Sequence, residues 1–127
     1  RRSCAIIAVM QVRVEDAVRT LRERAAGARV RRERRAEALR ARVQEIVREG
    51  LPAGARAYLI GSLAWGGFGE RSDVDLVVAG LSGGEVAHLE RALATAVGVE
   101  VDLLRLEDIP ASFRARVESE GVRLDAA

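Results

Sequence analysis

The sequence predicts an α/β fold: a small mixed sheet of three to four strands with helices packed on it, preceded by a long N-terminal helical segment. Three observations carry this. Short apolar runs with strand character stand at 56–60 (RAYLI), 74–79 (VDLVVA) and 99–104 (VEVDLL). Segments with apolar residues three and four apart flank and separate them. Glycine and proline punctuate the joints, at Gly50-Leu51-Pro52, 61–69, 80–84 and Gly121. The order α-β-β-α-β-α fits one mixed sheet, with helices expected on one face.

Each element has its own signal. Val14, Val18, Leu21 and Ala25 lie at helical spacing, and Leu39, Val43, Ile46 and Val47 do so again. The stretch 27–35 between them is nearly all polar. The pattern allows one helix from about 15 to 49 or two helices broken near Gly27. Gly50-Leu51-Pro52 is a stop. The run 74–79 is apolar enough to be a central strand. Residues 85–97 read as a helix with Val86, Leu89, Leu93 and Val97 on one face. Ile109-Pro110 opens a last helix, 111–120, whose buried face is Phe113 and Val117, and Gly121 ends it. We divide the chain into a basic helical segment, 1–49, packing on the domain, and a core, 50–127.

Composition bounds the class. The chain has 127 residues, 49% apolar and 31% charged, which suits one globular domain. The longest apolar run near the start, from Cys4 to Met10, is far shorter than the ~20 residues that span a bilayer. Arg1 and Arg2 precede it without a signal-peptide pattern, and Met10 is a candidate start with 1–9 as an upstream extension. A single cysteine excludes an internal disulfide and a Cys-based zinc site. A single histidine excludes chemistry that needs two. The expected location is cytoplasmic. All basic residues are arginine: fourteen against seven acids in 1–49, seven against twelve in the rest. The basic half reads either as a docking face for RNA or an acidic partner, or as a solvated helix laced with i,i+4 pairs. It lacks aromatics for base stacking, so nucleic acid is not favoured.

Chemistry concentrates in 61–78, GSLAWGGFGERSDVDLVV. Gly61-Ser62 ends a strand and enters a turn. A glycine lets a phosphate approach the backbone, and Ser62 offers a hydroxyl and an N–H. Asp73 and Asp75 are two apart at the start of a strand, so they point to one face and repel. A divalent cation relieves that repulsion, and hard oxygen ligands suit Mg²⁺. Asp102 stands alone between Val101 and Leu103. If its strand pairs beside 74–79, it joins the other two acids. Three carboxylates beside a phosphate-binding turn suit two-metal phosphoryl or nucleotidyl transfer.

Gly61-Ser62, ten residues, then Asp73-x-Asp75, with Asp102 in a later Val-Asp-Leu strand, resembles the signature of the polymerase-beta-type nucleotidyltransferase superfamily. The small size resembles its minimal nucleotidyltransferase (MNT) branch, and the likeness covers roughly 40–124. The resemblance implies ATP as substrate and Mg²⁺, two ions, as cofactor. It implies that Gly61 and Ser62 hold the outgoing phosphates, and that Asp73, Asp75 and Asp102 are catalytic and metal-binding, Asp102 also helping to deprotonate the acceptor hydroxyl. MNT proteins of this kind are often antitoxins that transfer AMP to a tyrosine of a HEPN-domain toxin, so such a toxin is the implied partner. A homo-oligomer or a hetero-complex is compatible with this. Many relatives read GSxARG; here Trp65 stands where that arginine falls, and Arg71 is the candidate substitute toward phosphate. Trp65 either stacks on a base or packs over the strand ends.

Two other readings stand beside the transferase. One is an MNT-like module that neutralises its partner by contact through the basic helix. The other is a small-molecule transferase of the aminoglycoside type, for which 127 residues leave little room. Of the remaining residues, His88 reads as a surface histidine, Cys4 as an apolar residue, Tyr58 as a packing residue, Arg91 as solvated, and Arg105 as able to reach the acids.

Overall fold

The computed structural model describes residues 2–125, with side chains described from Ala5 onward, so Cys4 lies outside the described side chains. The elements are α1 (Arg2–Gly50), β1 (Arg56–Ile60), α2 (Ser62–Trp65), β2 (Val74–Ala79), α3 (Gly83–Val97), β3 (Val101–Arg105), α4 (Ala111–Glu120) and β4 (Val122–Arg123), with a 3₁₀ turn at Leu106–Asp108. Of the two readings of the N-terminal segment, the single helix holds, but it begins at Arg2 rather than near 15. Gly27 sits between Ala25-Ala26 and Ala28-Arg29, good helix formers that absorb the ~1 kcal/mol a mid-helix glycine costs. The helix stops where expected: the Leu51 N–H still bonds the Val47 carbonyl at 2.9 Å, and Pro52 has no N–H to continue. No described helix is long and apolar enough to cross a membrane.

The chain forms two compact units, one up to Arg34 and one from Arg35 onward. The first is helix alone. The second contains the last turns of α1 and every strand. Its sheet order is β3-β2-β1-β4. β1 pairs antiparallel with β2 and β4, and β2 pairs parallel with β3. A parallel neighbour needs a crossover, which α3 supplies. Ser82 and Glu85 form a reciprocal capping box that starts α3.

Helices cover both faces of the sheet, not one. On the first face Ala57, Leu59, Leu76 and Leu103 pack with Val43 and Val47 of α1 and with Leu89 and Leu93 of α3. On the second, Tyr58, Ile60, Val77 and Ala79 pack with Val117 and Phe113 of α4 and with Leu106. The reason is readable in β1 and β2. Residues 57–60 and 76–79 are buried without a break, so neither side of these strands can face water. β3 differs. Val101 and Leu103 are buried while Asp102 and Leu104 are exposed, so its second face stays open. β3 begins at Val101 rather than 99 because Val99 and Glu100 carry the chain out of α3, with the Glu100 carbonyl accepting from the Val74 N–H.

β4 is an addition to the expected strands. At two residues it is too short to show alternation. It is held by side chains instead: Asp125 accepts the Ala57 N–H at 3.1 Å and binds Arg123 through both oxygens, and Arg123 lies over the Tyr58 ring. Gly121 permits the approach, since a Cβ there would meet the Val117 carbonyl oxygen at 2.5 Å and the Tyr58 side chain at 3.2 Å.

The Arg123 guanidinium, with the Ala57 N–H, holds the Asp125 carboxyl at about 2, below its ordinary 3.8. A depressed acid stabilises the fold above its unfolded pKa and ceases to do so as pH falls through its folded one. Asp125→Ala is expected to cost about 1 kcal/mol in urea unfolding at neutral pH, with the deficit shrinking as pH falls from about 4 toward 2. An undiminished deficit in acid would remove the carboxylate charge from this account.

Candidate active site

The site forms where β1 ends. Gly61 has φ +74 and ψ −160, a region open to glycine and strained for other residues. Its carbonyl accepts from the N–H groups of Ala64 and Trp65, which starts the short α2. A Cβ on Gly61 would stand 2.6 Å from Oδ2 of Asp75. The glycine is therefore required twice, by its backbone angle and by the carboxylate lying against it. Ile60, the residue before it, is the ladder partner of Asp75.

The parallel pairing of β2 and β3 adds the third acid. Asp75 and Asp102 are register partners, about 5 Å apart along the hydrogen-bonding direction. Both lie on the sheet face that also carries Val77. Asp73 stands just before β2, two residues from Asp75, so the strand period aims it toward the same face. Asp73 and Asp75 are half-buried and Asp102 is exposed. The Asp75 carboxyl is pushed above its ordinary range, first by burial, then by the charge of Asp102, then by that of Asp73. These causes join the three acids into one electrostatic group.

Among the described residues, no three His, Cys, Asp or Glu side chains converge into a ready-made metal cage. The donor chemistry nevertheless fits a hard divalent cation. Three carboxylates face each other's charge, the middle one is partly desolvated, and Gly61, lacking a Cβ, lets the Asp75 carboxylate lie against the backbone. A cation there replaces repulsion with attraction.

The loop between α2 and β2 is pinned. Gly69 N–H donates to Ser72 Oγ at 3.0 Å and the Ser72 N–H returns to the Gly69 carbonyl, closing a turn directly before Asp73. Arg40, from the last turns of α1, donates to the Leu63 carbonyl at 2.8 Å and steadies α2. No sequence signal pointed to Arg40, because its partner is 23 residues away. Arg71 is exposed on this loop. Trp65 is 50% exposed, and its Nε1–H donates to the Glu120 carbonyl at 2.9 Å. It thus ties α2 to the end of α4 while leaving much of its ring open.

Other candidates fall elsewhere. Arg105 does not turn toward the acids. It lies an odd number of residues from Asp102, hence on the opposite face, and is held by the Leu81 carbonyl, Glu107 and Asp108. His88 is exposed on α3 and lines a groove of about 420 Å³ with Ile46, Glu49 and Leu89, away from the acids. Tyr58 is buried, with its hydroxyl accepting from Arg56.

A mixed sheet that brings acids from adjoining strands beside a Gly-Ser turn defines a nucleotidyltransferase. The chain belongs to the polymerase beta nucleotidyltransferase family, whose profile matches residues 44–125. Among solved structures it is similar to a minimal nucleotidyltransferase, with a TM-score of 0.60 and 33% identity over 68% of this chain and 93% of that one. It is also similar to a chain of a toxin–antitoxin complex with AMP-PNP, at TM-score 0.57 and 26% identity over 67% and 71%. It shares the fold of a chain from the complex of a tri-AMPylated Shewanella oneidensis HEPN toxin with an MNT antitoxin, at TM-score 0.53 and 23% identity over 70% and 71%. No curated protein matches the chain.

The raised Asp75 carboxyl has a stability consequence. An acid with a raised folded pKa favours the fold below its unfolded pKa, and that advantage is lost as pH rises through the folded value. Asp75→Asn is therefore expected to raise the urea midpoint at neutral pH and to match wild type below the ordinary pKa of 3.8. Asp102→Asn should lower the Asp75 titration followed by carboxyl NMR. A neutral-pH loss of stability in Asp75→Asn, or an unmoved titration in Asp102→Asn, would contradict the coupling.

Proposed function

We propose that the chain transfers AMP from ATP to a protein hydroxyl, a tyrosine of a HEPN-domain toxin, and so acts as the antitoxin of a two-protein cytoplasmic system. The observation that carries this is the meeting of the Gly61 backbone with Asp75, beside the register partner Asp102. The AMP-PNP complex and the AMPylated HEPN toxin among the similar folds support the choice of nucleotide and acceptor.

Each residue then has a role. Asp73, Asp75 and Asp102 would hold Mg²⁺, one or two ions. The metal, when bound, supplies positive charge to the phosphates and makes the acceptor hydroxyl more acidic. Gly61 lets the triphosphate reach the backbone, and Ser62 offers its hydroxyl and N–H to the outgoing phosphates. Arg71 adds a positive charge from the loop, in place of the arginine that Trp65 replaces. The acceptor oxygen bonds to the α-phosphorus, the bond to the bridging oxygen of the β-phosphate breaks, and pyrophosphate leaves. The hydroxyl proton passes to Asp102, the most exposed of the three acids. No covalent enzyme intermediate is needed; positioning and charge neutralisation carry the rate.

A second reading is neutralisation by contact alone through the basic helix, favoured by one observation: large apolar residues of its first unit, among them Met10 and Leu21, are exposed. Transfer of α-labelled ATP to a purified HEPN-domain toxin separates the two. Wild type with Mg²⁺ is expected to label the toxin and silence its ribonuclease activity. Asp73→Ala/Asp75→Ala, with an unchanged circular dichroism spectrum, is expected to lose at least about 100-fold in rate and to stop protecting. A double variant that labels at the wild-type rate sinks the assignment of the acids. One that protects without labelling establishes the contact reading.

A further inference from the structure

Residues 5–34 of α1 belong to a unit of their own and precede the 44–125 family match. At 3.6 residues per turn, Ile7, Met10, Val14, Val18, Leu21 and Ala25 fall on one stripe. Five of these are large, and they are not buried: Ile7 is 53% exposed, Met10 61%, Val14 60%, Val18 40% and Leu21 63%. Steps of three and four are the spacing of a helix–helix seam, and the stripe runs for about 27 Å. An exposed apolar stripe of this length marks an interaction surface.

Its edges say what covers it. Arg13, Arg24 and Arg31 border one side; Glu15, Arg22 and Arg29 border the other. A second copy laid antiparallel would set Arg13, Arg24 and Arg31 of one helix against those of the other, and like charges across a seam oppose pairing. A lipid surface is disfavoured by Asp16 and Glu23 on the outer face and by the absence of any aromatic anchor before Tyr58. The same lack of aromatics disfavours a single-stranded nucleic acid. A helix with an apolar seam and acidic edges satisfies both the stripe and the charge.

We propose that residues 5–34 are a docking helix for a partner protein presenting an amphipathic helix edged by glutamate and aspartate. This stands apart from the transfer chemistry, because it concerns a segment outside the family match and is read by binding alone.

The test uses the full chain and two synthetic helical peptides of about four heptads. They share a leucine seam; one has glutamate edges and the other lysine edges. The glutamate peptide is expected to bind in the micromolar range, at least about tenfold more tightly than the lysine peptide, and more weakly as salt rises. Val14→Asp/Leu21→Asp, with helicity retained, should abolish this binding. Arg24→Glu/Arg31→Glu, also still helical, should shrink the preference or reverse it. Four results would overturn the proposal: equal affinity for both peptides, no affinity for either, binding that ignores the seam substitutions, or tighter binding to phosphatidylglycerol vesicles than to the glutamate peptide. A dimer of the full chain in sedimentation that the seam substitutions dissolve would also overturn it, by making a second copy the occupant.

Discussion

Parallel pairing of β2 with β3 puts Asp75 beside Asp102, and this one contact between like charges organises the rest of the site. The fold accepts it because the strands are otherwise strongly committed. Leu76, Val77 and Val78 of β2 are fully buried, each contributing roughly 1.5–3 kcal/mol of apolar burial. That is ample to hold a register that costs repulsion at one end. A one-residue slip would turn Asp75 into the face packed by α1 and α3 and move Leu76 to the opposite face, packed by α4. The apolar core therefore enforces the position of the acids.

The glycine turn follows from the same constraint. With the Asp75 carboxylate against it, residue 61 has no room for a side chain, and its left-handed backbone turns the chain away from β1 into α2. That turn is braced from two directions, by Arg40 on the Leu63 carbonyl and by Trp65 on the Glu120 carbonyl. Both braces use long side chains bonded to backbone oxygens; Arg40 brings a positive charge to α2, and Trp65 brings none. Trp65 thus has a structural duty in this turn, and Arg71 stands exposed on the same loop.

Much of this was legible in the sequence, for identifiable reasons. β1 and β2 match their expected limits because their apolar runs end abruptly at glycine or a charge. The acids were legible as a group because Asp73 and Asp75 share a strand parity and Asp102 interrupts an apolar strand. Other features were not. Helices on both sheet faces are not predicted by the sequence reading, although the unbroken apolar runs 57–60 and 76–79 imply cover on both sides. β4 was missed because two residues show no period. Arg40 was missed because a side chain to a backbone oxygen 23 residues on leaves no pattern. Arg105 was assigned toward the acids by proximity in sequence, where strand parity points it the other way.

The proposed docking helix lies outside the family match at residues 44–125. The first unit, up to Arg34, carries ten arginines against four acids, and the second carries eleven against fifteen. In the proposed function the acids form a site that gains from a divalent cation and uses it to hold a triphosphate. Calorimetric titration of ATP into the wild type and into Asp75→Asn/Asp102→Asn, each with Mg²⁺ and with chelator, tests it most directly. The account predicts that Mg²⁺ tightens ATP binding to the wild type by about tenfold or more, and that the double variant shows no such gain. Equal Mg²⁺ dependence in the two proteins, or none in the wild type, would contradict it.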